Sequence, residues 1–387
     1  MAQDSALAGL RVLDLSDNVG GQYCARTLAD FGADVLLIEG VDGSPVRRAA
    51  AWTAARPPAV DAMLFRHLNT GKQSMTLDWR SPEGMAVLTA LAADSDVVVA
   101  GEQAVCRALM AVNPRLVACA ITDFGAGPHE GWTGTEMIFQ ALSGVMLLNG
   151  EYPKPPLYGL GARAQYSAGI TAYGAILAAL LWREQSGRGQ FVETAVLDSV
   201  AVMNAMVSAR YFYNGTFQAR LPRSGLVGLF RCSDGWVVVY AARPNDWAGC
   251  CAVFELPEHA QDPRFVDLAD RLKHWPEALE LIGAQAATMT CDEVTAAGRQ
   301  CKLPVSRVMD GPALWADKHL NVRGFWQRAR SGDASHPVIA PAFRMSATPR
   351  AEVVTTAPGL GEEDRQALGS VGLSDQHQTL QANGVMR

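Results

Sequence analysis

The chain has 387 residues, of which 49% are hydrophobic and 19% are charged, a composition typical of a folded globular protein rather than a disordered one. Its formal net charge of -6 at pH 7 and the absence of a long basic run argue against nucleic acid as a partner. At this length we expect more than one domain.

The first part of the chain alternates short apolar segments with helical ones. The predicted strands are 10–15, 33–39, 74–77, 96–100 and 116–122. The helices between them include 23–31 and a segment that begins after Ser81 and runs to residue 93, with proline at its first position. This alternation predicts a parallel, doubly wound α/β sheet, which is a Rossmann-like architecture.

The middle of the chain changes character. Residues 169–182 are apolar on every side, which indicates a helix buried in a large core or at a subunit interface. A strand is predicted at 190–197, and a helix rich in Met and Ala at 199–213. The Asp-Gly pair at 234–235 lies between two apolar segments, at 229–232 and 235–240, and so predicts a β-hairpin.

These changes predict three ranges. A large Rossmann-like domain covers 1–215, a smaller α+β domain covers 216–322, and residues 323–387 return to the large domain. The segment 220–228 is predicted to connect the first two ranges.

Short motifs exclude several functions. The eight cysteines contain no C-x-x-C pair and the seven histidines no H-E-x-x-H spacing, which predicts reduced, structural cysteines and no metal site. Neither a P-loop nor the G-x-S-x-G motif of hydrolases is present. The N-terminal residues lack the apolar core of a signal peptide, and 169–182 is too short to span a bilayer. We therefore expect a cytoplasmic protein without a membrane partner.

Six segments carry a family resemblance: LAGLRVLDLS, FGADVLLIE, LNTGKQSMTLDWRSPEG, FQALSGVM, AGITAYGAILAALLWREQSGRGQFVETAVLDS and KLPVSRVMDGPALWADKHLNVRGFW. Together they make nearly the whole chain similar to the class III CoA-transferases, the family of formyl-CoA:oxalate CoA-transferase, carnitine CoA-transferase and α-methylacyl-CoA racemase. The resemblance implies a Rossmann-like large domain, a small domain and two subunits interlocked like links of a chain.

The resemblance also implies a mechanism. In the family an aspartate attacks the acyl-CoA thioester, which gives a mixed anhydride and free CoA thiolate. The thiolate then attacks the anhydride and displaces the donor carboxylate, which gives an aspartyl-CoA thioester, and the acceptor acid takes the CoA and regenerates the aspartate carboxylate. A carboxylate suits both steps because it is nucleophile and acyl carrier in turn.

The family's aspartate lies four residues before the glycine that opens its long apolar helix. In this chain that glycine is Gly169, so the position is occupied by Gln165. An amide forms hydrogen bonds but does not form an anhydride at a useful rate. The His–Asp pair of the racemases is also missing, because the matching segment reads Gly134-Thr135-Glu136. We therefore predict no catalytic residue in this chain, with Glu136 as the fallback candidate.

The positions that match the family's CoA contacts are Asn18, Val19, Gly20, Arg48 and Lys72. The resemblance implies that they contact coenzyme A or acyl-CoA, a substrate rather than a tightly bound cofactor. Two departures weigh against CoA binding to this chain: the second strand carries Leu36 and Leu37 where relatives often have lysine, and Glu102 stands where its charge would repel phosphates.

Three hypotheses follow. The first is a non-catalytic, pseudoenzyme subunit of a heterodimeric CoA-transferase that moves CoA between small carboxylic acids, as in the succinyl-CoA:benzylsuccinate type, with the aspartate supplied by a homologous partner chain. The second is a stand-alone acyl-CoA enzyme that uses Glu136 or, with weaker support, Glu193. The third is an acyl-CoA-binding protein without catalysis.

Overall fold

The computed structural model describes residues 5–48, 63–150, 153–216, 220, 227–332, 334–351 and 353–387. The chain divides into two compact units. The larger one takes in Met1–Met146, Tyr158–Phe217 and Asn321–Arg387, and the smaller one Leu147–Leu157 and Gln218–Leu320. Most of the predicted connection at 220–228 lies outside the described residues.

A parallel sheet forms the centre of the larger unit. Its strands are β1 (Arg11–Leu15), β2 (Asp34–Glu39), β3 (Gln73–Thr76), β4 (Val97–Ala100), β5 (Val117–Thr122) and β6 (Phe191–Ala195). Their order is β3-β2-β1-β4-β5-β6, and every pairing is parallel. The predicted doubly wound sheet is therefore confirmed. The strand order reverses between β1 and β4, and sheets of this kind bind ligands beyond the carboxyl ends of the strands at the reversal.

Eight helices accompany these strands in the described residues: α1 (Val19–Asp30), α2 (Met63–Asn69), α3 (Pro82–Ala93), α4 (Gln103–Val112), α5 (Glu136–Leu142), α6 (Arg163–Ser186), α7 (Val196–Ala201) and α8 (Ala205–Asn214). Helix α3 has Ser81 as its cap, as predicted, with Oγ accepting a hydrogen bond from the Gly84 N–H. Helix α1 begins earlier than predicted because the Asn18 side chain caps it.

The smaller unit contains an antiparallel sheet, β7 (Val227–Cys232), β8 (Gly235–Tyr240) and β9 (Val305–Arg307), whose first two strands form the predicted hairpin. Its helices are α9 (Asp246–Val253), α10 (Pro263–Val266), α11 (Leu268–Lys273), α12 (Trp275–Ala286), α13 (Cys291–Gln300) and α14 (Gly311–Ala316). Helix α15 (Lys318–Val322) follows, and its residues from Asn321 onward belong to the larger unit.

The C-terminal part adds β10 (Trp326–Ser331), β11 (Ala334–Ile339), β12 (Val353–Thr355), α16 (Asp364–Ser370) and α17 (His377–Ala382). The core of the larger unit lies on both faces of its central sheet. One face packs against α3, α4, α16 and α17, and the other packs against α1 and α6. Successive strand residues point to opposite faces, so both faces of the inner strands are apolar.

The predicted single helix over 199–213 is wrong. The structure has α7, then a 3-10 turn at Val202–Asn204, then α8. At the turn the Asn204 side chain donates a hydrogen bond to the Ser143 carbonyl at 3.0 Å. A short amide side chain that bonds outside its own helix favours an interruption of this kind.

Helix α6 has 24 residues rather than the predicted 169–182, so the expectation that this segment is too short to span a bilayer is wrong. Among the described residues it is the one helix long and apolar enough to cross a membrane. It packs along α1 on the sheet, with Ala168, Ala172 and Ile176 fully buried. This contact is typical of the core helix of a globular protein. Its outer side chains nevertheless include Leu181 and Trp182, and apolar exposure continues through the following helices with Val202, Met203, Tyr211, Phe212 and Tyr213. We call these seven residues the outer apolar side chains of α6–α8.

Candidate functional site

The turn from β1 into α1 brings together three of the predicted CoA contacts, Asn18, Val19 and Gly20. The Asn18 Oδ1 accepts a hydrogen bond from the Gly21 N–H at 2.7 Å, and its Nδ2 donates to the Ile121 carbonyl at 3.3 Å. Asn18 thereby ties the start of α1 to the end of β5. This places the first turn of α1 at the point where the strand order reverses.

Gln165 lies on the first turn of α6 and faces the same turn. Its side-chain oxygen, Oε1, accepts a hydrogen bond from the Gly20 N–H at 3.0 Å. The amino end of a helix favours negative charge, so the position suits a carboxylate electrostatically, yet the chain presents a neutral amide there. Gln165 therefore provides a hydrogen-bond acceptor at this position but no nucleophile.

Two glycines allow α1 and α6 to approach closely beside Gln165. A Cβ atom built on Gly169 would lie 2.5 Å from the Gly20 carbonyl oxygen and 3.3 Å from the Cys24 backbone nitrogen. Tyr23 and Tyr166 flank the same contact, with ring centroids 4.7 Å apart and an edge-to-face angle of 85°. Backbone contact and aromatic packing together fix the orientation of the first turn of α6.

Glu136 lies near Gln165, but its carboxylate accepts hydrogen bonds from the backbone at the start of α6. Its two carboxylate oxygens accept hydrogen bonds from the Ala164 N–H at 2.9 and 3.1 Å, and Oε1 also accepts from Gln140 Nε2 at 2.7 Å. The Ala162 side chain cannot cap α6, so Glu136 supplies the missing acceptor from α5. Glu193, the weaker candidate, accepts from the Ala126 N–H and from Gln103 Nε2.

We expect Glu136→Ala to lower the free energy of unfolding by about 1–2 kcal/mol, because it removes the acceptor for the first turn of α6. Glu136→Gln should cost less than about 1 kcal/mol, since its amide oxygen still accepts from Ala164. Urea denaturation of both variants measures the difference. Equal losses in the two variants would show that the negative charge, rather than the hydrogen bond, carries the effect.

Lys72 does not reach the surface. Its three N–H groups donate to Asp14 Oδ2, the Gln22 carbonyl and Asn69 Oδ1, each at 2.8 Å, and its side chain is fully buried. An ammonium group has three donors, so none remains for a phosphate. Burial lowers the pKa of Lys72, while the neighbouring Asp14 carboxylate opposes that change. In this arrangement the Lys72 ammonium has no N–H left to donate to a ligand.

The remaining predicted contact, Arg48, is exposed, and its hydrogen-bond partners are different from those of Lys72. Its Nη1 donates to the Asp42 carbonyl at 2.6 Å and the Gly43 carbonyl at 3.3 Å. The adjacent Arg47 is buried, where it pairs with Glu39 and stacks over the Phe65 ring at 3.8 Å from the ring centroid. Of the five predicted contacts, the three in the β1–α1 turn are thus brought to the carboxyl edge of the sheet.

A cleft of about 620 Å³ opens at this edge, beyond the ends of β1, β4 and β5. Its walls include Asn18, the indoles of Trp79 and Trp132, and the loop that follows β4. Trp79 and Arg80 were not among the predicted contacts. The signal that marks them is their place in the connection between β3 and α3, since such connections line the carboxyl edge in a doubly wound sheet.

The charge of the cleft is mostly negative. The charged residues on its walls are Asp17, Arg80, Glu102, Asp123 and Glu130. Arg80 forms an ion pair with Glu102 and stacks over the Trp79 ring at 4.2 Å from the ring centroid. Burial raises the pKa of Asp123, the Gly134 N–H that donates to its Oδ2 opposes the change, and nearby Asp17 adds to the rise.

Comparison with known proteins identifies the family. The model of CoA-transferase family III matches residues 7–364. The chain belongs to this family. The chain is similar over nearly its full length to two known CoA-transferases. It is 27% identical to the succinate–glutarate CoA-transferase of Agrobacterium fabrum, covering 94% of this chain and 95% of the relative. It is 28% identical to the succinyl-CoA–L-malate CoA-transferase beta subunit of Chloroflexus aurantiacus, covering 96% of this chain and 95% of the relative.

The fold agrees with this family III assignment. A crystal structure of a CAIB/BAIF family protein from Brucella suis superposes with a TM-score of 0.87 at 24% identity, covering 95% of this chain and all of the other. CoA-transferases of this family act on CoA thioesters and carboxylates, and they hold no tightly bound cofactor. The resemblance stated from the sequence is confirmed at the level of family and fold.

Proposed function

We propose that the chain is the non-catalytic subunit of a heterodimeric family III CoA-transferase. A homologous partner chain supplies the nucleophilic aspartate, and the complex transfers CoA between small carboxylic acids in the cytoplasm. Acyl-CoA is the substrate, and neither nucleic acid nor a membrane takes part. The observation that carries the proposal is Gln165, because an amide stands at the position that the family's aspartate occupies.

The hydrogen bond that Gln165 makes supports a positioning role for its side chain rather than a nucleophilic one. Its Oε1 accepts from the Gly20 N–H at 3.0 Å, which holds the side chain against α1. Transfer through a mixed anhydride needs an oxygen nucleophile that leaves again as a carboxylate, and a carboxamide does neither. The anhydride and the aspartyl-CoA thioester must therefore form on the partner chain.

The outer apolar side chains of α6–α8 support a subunit contact. Phe212 is 80% exposed and Tyr213 is 90% exposed in the isolated chain. Aromatic side chains bury roughly 150–250 Å² each, so a handful of them approaches the roughly 800 Å² that each partner contributes to a stable interface. A relative from Chloroflexus aurantiacus is itself a beta subunit of a CoA-transferase.

The two other hypotheses have less support. A stand-alone enzyme would use Glu136 or Glu193 as its nucleophile. Both oxygens of Glu136 accept hydrogen bonds from the Ala164 N–H, and Glu193 Oε1 accepts from the Ala126 N–H and from Gln103 Nε2. A CoA-binding protein would need free cations for the phosphates, and Lys72 has none of its donors free. The first hypothesis requires neither.

The experiment is affinity purification of the chain from its own source, followed by native mass spectrometry and a CoA-exchange assay. We expect a one-to-one complex with a homologous chain of similar mass, and transfer activity in that complex. The isolated chain should neither exchange CoA nor accumulate a hydroxylamine-sensitive thioester. In the reconstituted complex, replacing the partner's aspartate with alanine should lower kcat at least about 1,000-fold.

The matched control is Gln165→Ala in the same complex, which should change kcat by less than about threefold because the residue makes no covalent bond. A homodimer that transfers CoA without a partner would overturn the proposal. So would a thioester trapped on this chain, and Glu136 would then be the first residue to replace.

A further inference from the structure

The carboxyl-edge cleft has a charge arrangement that the proposed function does not require. Arg80 is the single lysine or arginine among the described residues that line it, and its guanidinium lies over the Trp79 ring, 4.2 Å from the ring centroid. An arginine held in this way at the carboxyl edge of a doubly wound sheet is well placed to receive a phosphate group. Its Nη2 is instead paired with Glu102 Oε1.

We propose that Glu102 makes this cleft selective against phosphorylated ligands, so that coenzyme A does not bind to this chain. The inference rests on the proposed function, in which CoA chemistry takes place on the partner. Glu102 acts in two ways: it occupies the guanidinium that a phosphate would need, and it adds a like charge at the same place. Glu102 is thus a specificity-determining residue for the cleft.

The rest of the cleft strengthens the effect. Asp17, Asp123 and Glu130 add further carboxylates to the walls, and no lysine or arginine other than Arg80 balances them among the described lining residues. Lys72, one of the two cations predicted to contact coenzyme A, is enclosed by Asp14, Gln22 and Asn69. A ligand with several phosphate charges therefore meets net repulsion on entering this cleft.

The effect of the Arg80–Glu102 ion pair on ligand binding can be measured separately from its effect on stability. The side chains of Arg80 and Glu102 are 62% and 51% exposed, and exposed pairs contribute little to stability. Substitution at either position should leave the chain folded. The function of Glu102 can therefore be measured directly as ligand affinity.

The test is calorimetric titration of the full-length chain with coenzyme A at low ionic strength, where screening is weak. The wild-type chain should bind more weakly than about 1 mM. Glu102→Gln should tighten binding at least about tenfold, since it frees Arg80 and removes a negative charge. Glu130→Gln removes an equal charge from the same cleft without touching the pair, and should change the affinity less than about threefold.

The double variant with Arg80→Gln and Glu102→Gln should lose the gain, because the freed guanidinium is the group that meets the phosphate. Micromolar binding by the wild-type chain, no gain in Glu102→Gln, or a gain that persists in the double variant would each overturn the inference. The titration measures binding without turnover. A wild-type chain that binds coenzyme A but transfers nothing would therefore refute this inference alone and leave the proposed function standing.

Discussion

Lys72→Met should lower the free energy of unfolding by about 3–5 kcal/mol, because it leaves a charged partner buried without a counter-ion. The Lys72 ammonium and the Asp14 carboxylate are 2.8 Å apart, and the side chains of both are fully buried. The same substitution leaves the side-chain oxygen of Asn69 without the Lys72 donor, and it removes the additional hydrogen bond that the Gln22 carbonyl accepts from Lys72. Chemical denaturation with urea, followed by circular dichroism, measures the loss.

Two controls separate this structural role from phosphate binding. Combining Lys72→Met with Asp14→Leu removes both charges and should recover at least about 1 kcal/mol of the loss, since replacing a whole buried pair is far less costly than breaking it. Arg48→Met removes an exposed cation and should change stability by less than about 0.5 kcal/mol. If Lys72→Met lost less than about 1 kcal/mol of stability, Lys72 would not form a buried ion pair with Asp14.

Gly169→Val should destabilise the chain by about 2–4 kcal/mol, because the α1–α6 contact leaves no room for a side chain. The first atom of that side chain would already lie 2.5 Å from the Gly20 carbonyl oxygen, a backbone atom that cannot turn aside. The two helices would have to separate, and Gln165 would lose its hydrogen bond to the Gly20 N–H. Thermal and urea denaturation of the purified variant measure the change.

Gly174 provides the matched control on the same helix. A Cβ atom built there meets nothing within 4 Å, so Gly174→Ala should stabilise the chain by about 0.5–1 kcal/mol through the higher helix propensity of alanine. If Gly169→Ala were as well tolerated as Gly174→Ala, the close approach of α1 and α6 would not be the reason for glycine at position 169.

The order of the elements could be predicted from sequence because it depends on local patterns. The continuous apolar run that becomes β2 is visible without its neighbours, and so is the Ser81 cap of α3. The position of Gln165 could be predicted from the family resemblance. The Asp-Gly hairpin in the smaller unit is equally local.

The features that sequence analysis missed depend on contacts between distant residues. Lys72 meets Asp14 across 58 positions, and nothing near either residue indicates which lysine will be internal. Glu136 reaches the backbone of Ala164 from another helix, so its capping role has no local signature. The break before α8 depends on the hydrogen bond from Asn204 to Ser143, 61 positions away.

The outer apolar side chains of α6–α8 also bear on how the protein must be produced. Val202, Phe212 and Tyr213 are each more than two-thirds exposed, and an apolar surface of that kind promotes aggregation when nothing covers it. If the partner covers it, molecules synthesised in excess of the partner have no such protection and become substrates for chaperones and proteases. Balanced expression of the two genes would then keep this surface covered, and producing both chains in one host should raise the yield of folded protein over that of this chain alone.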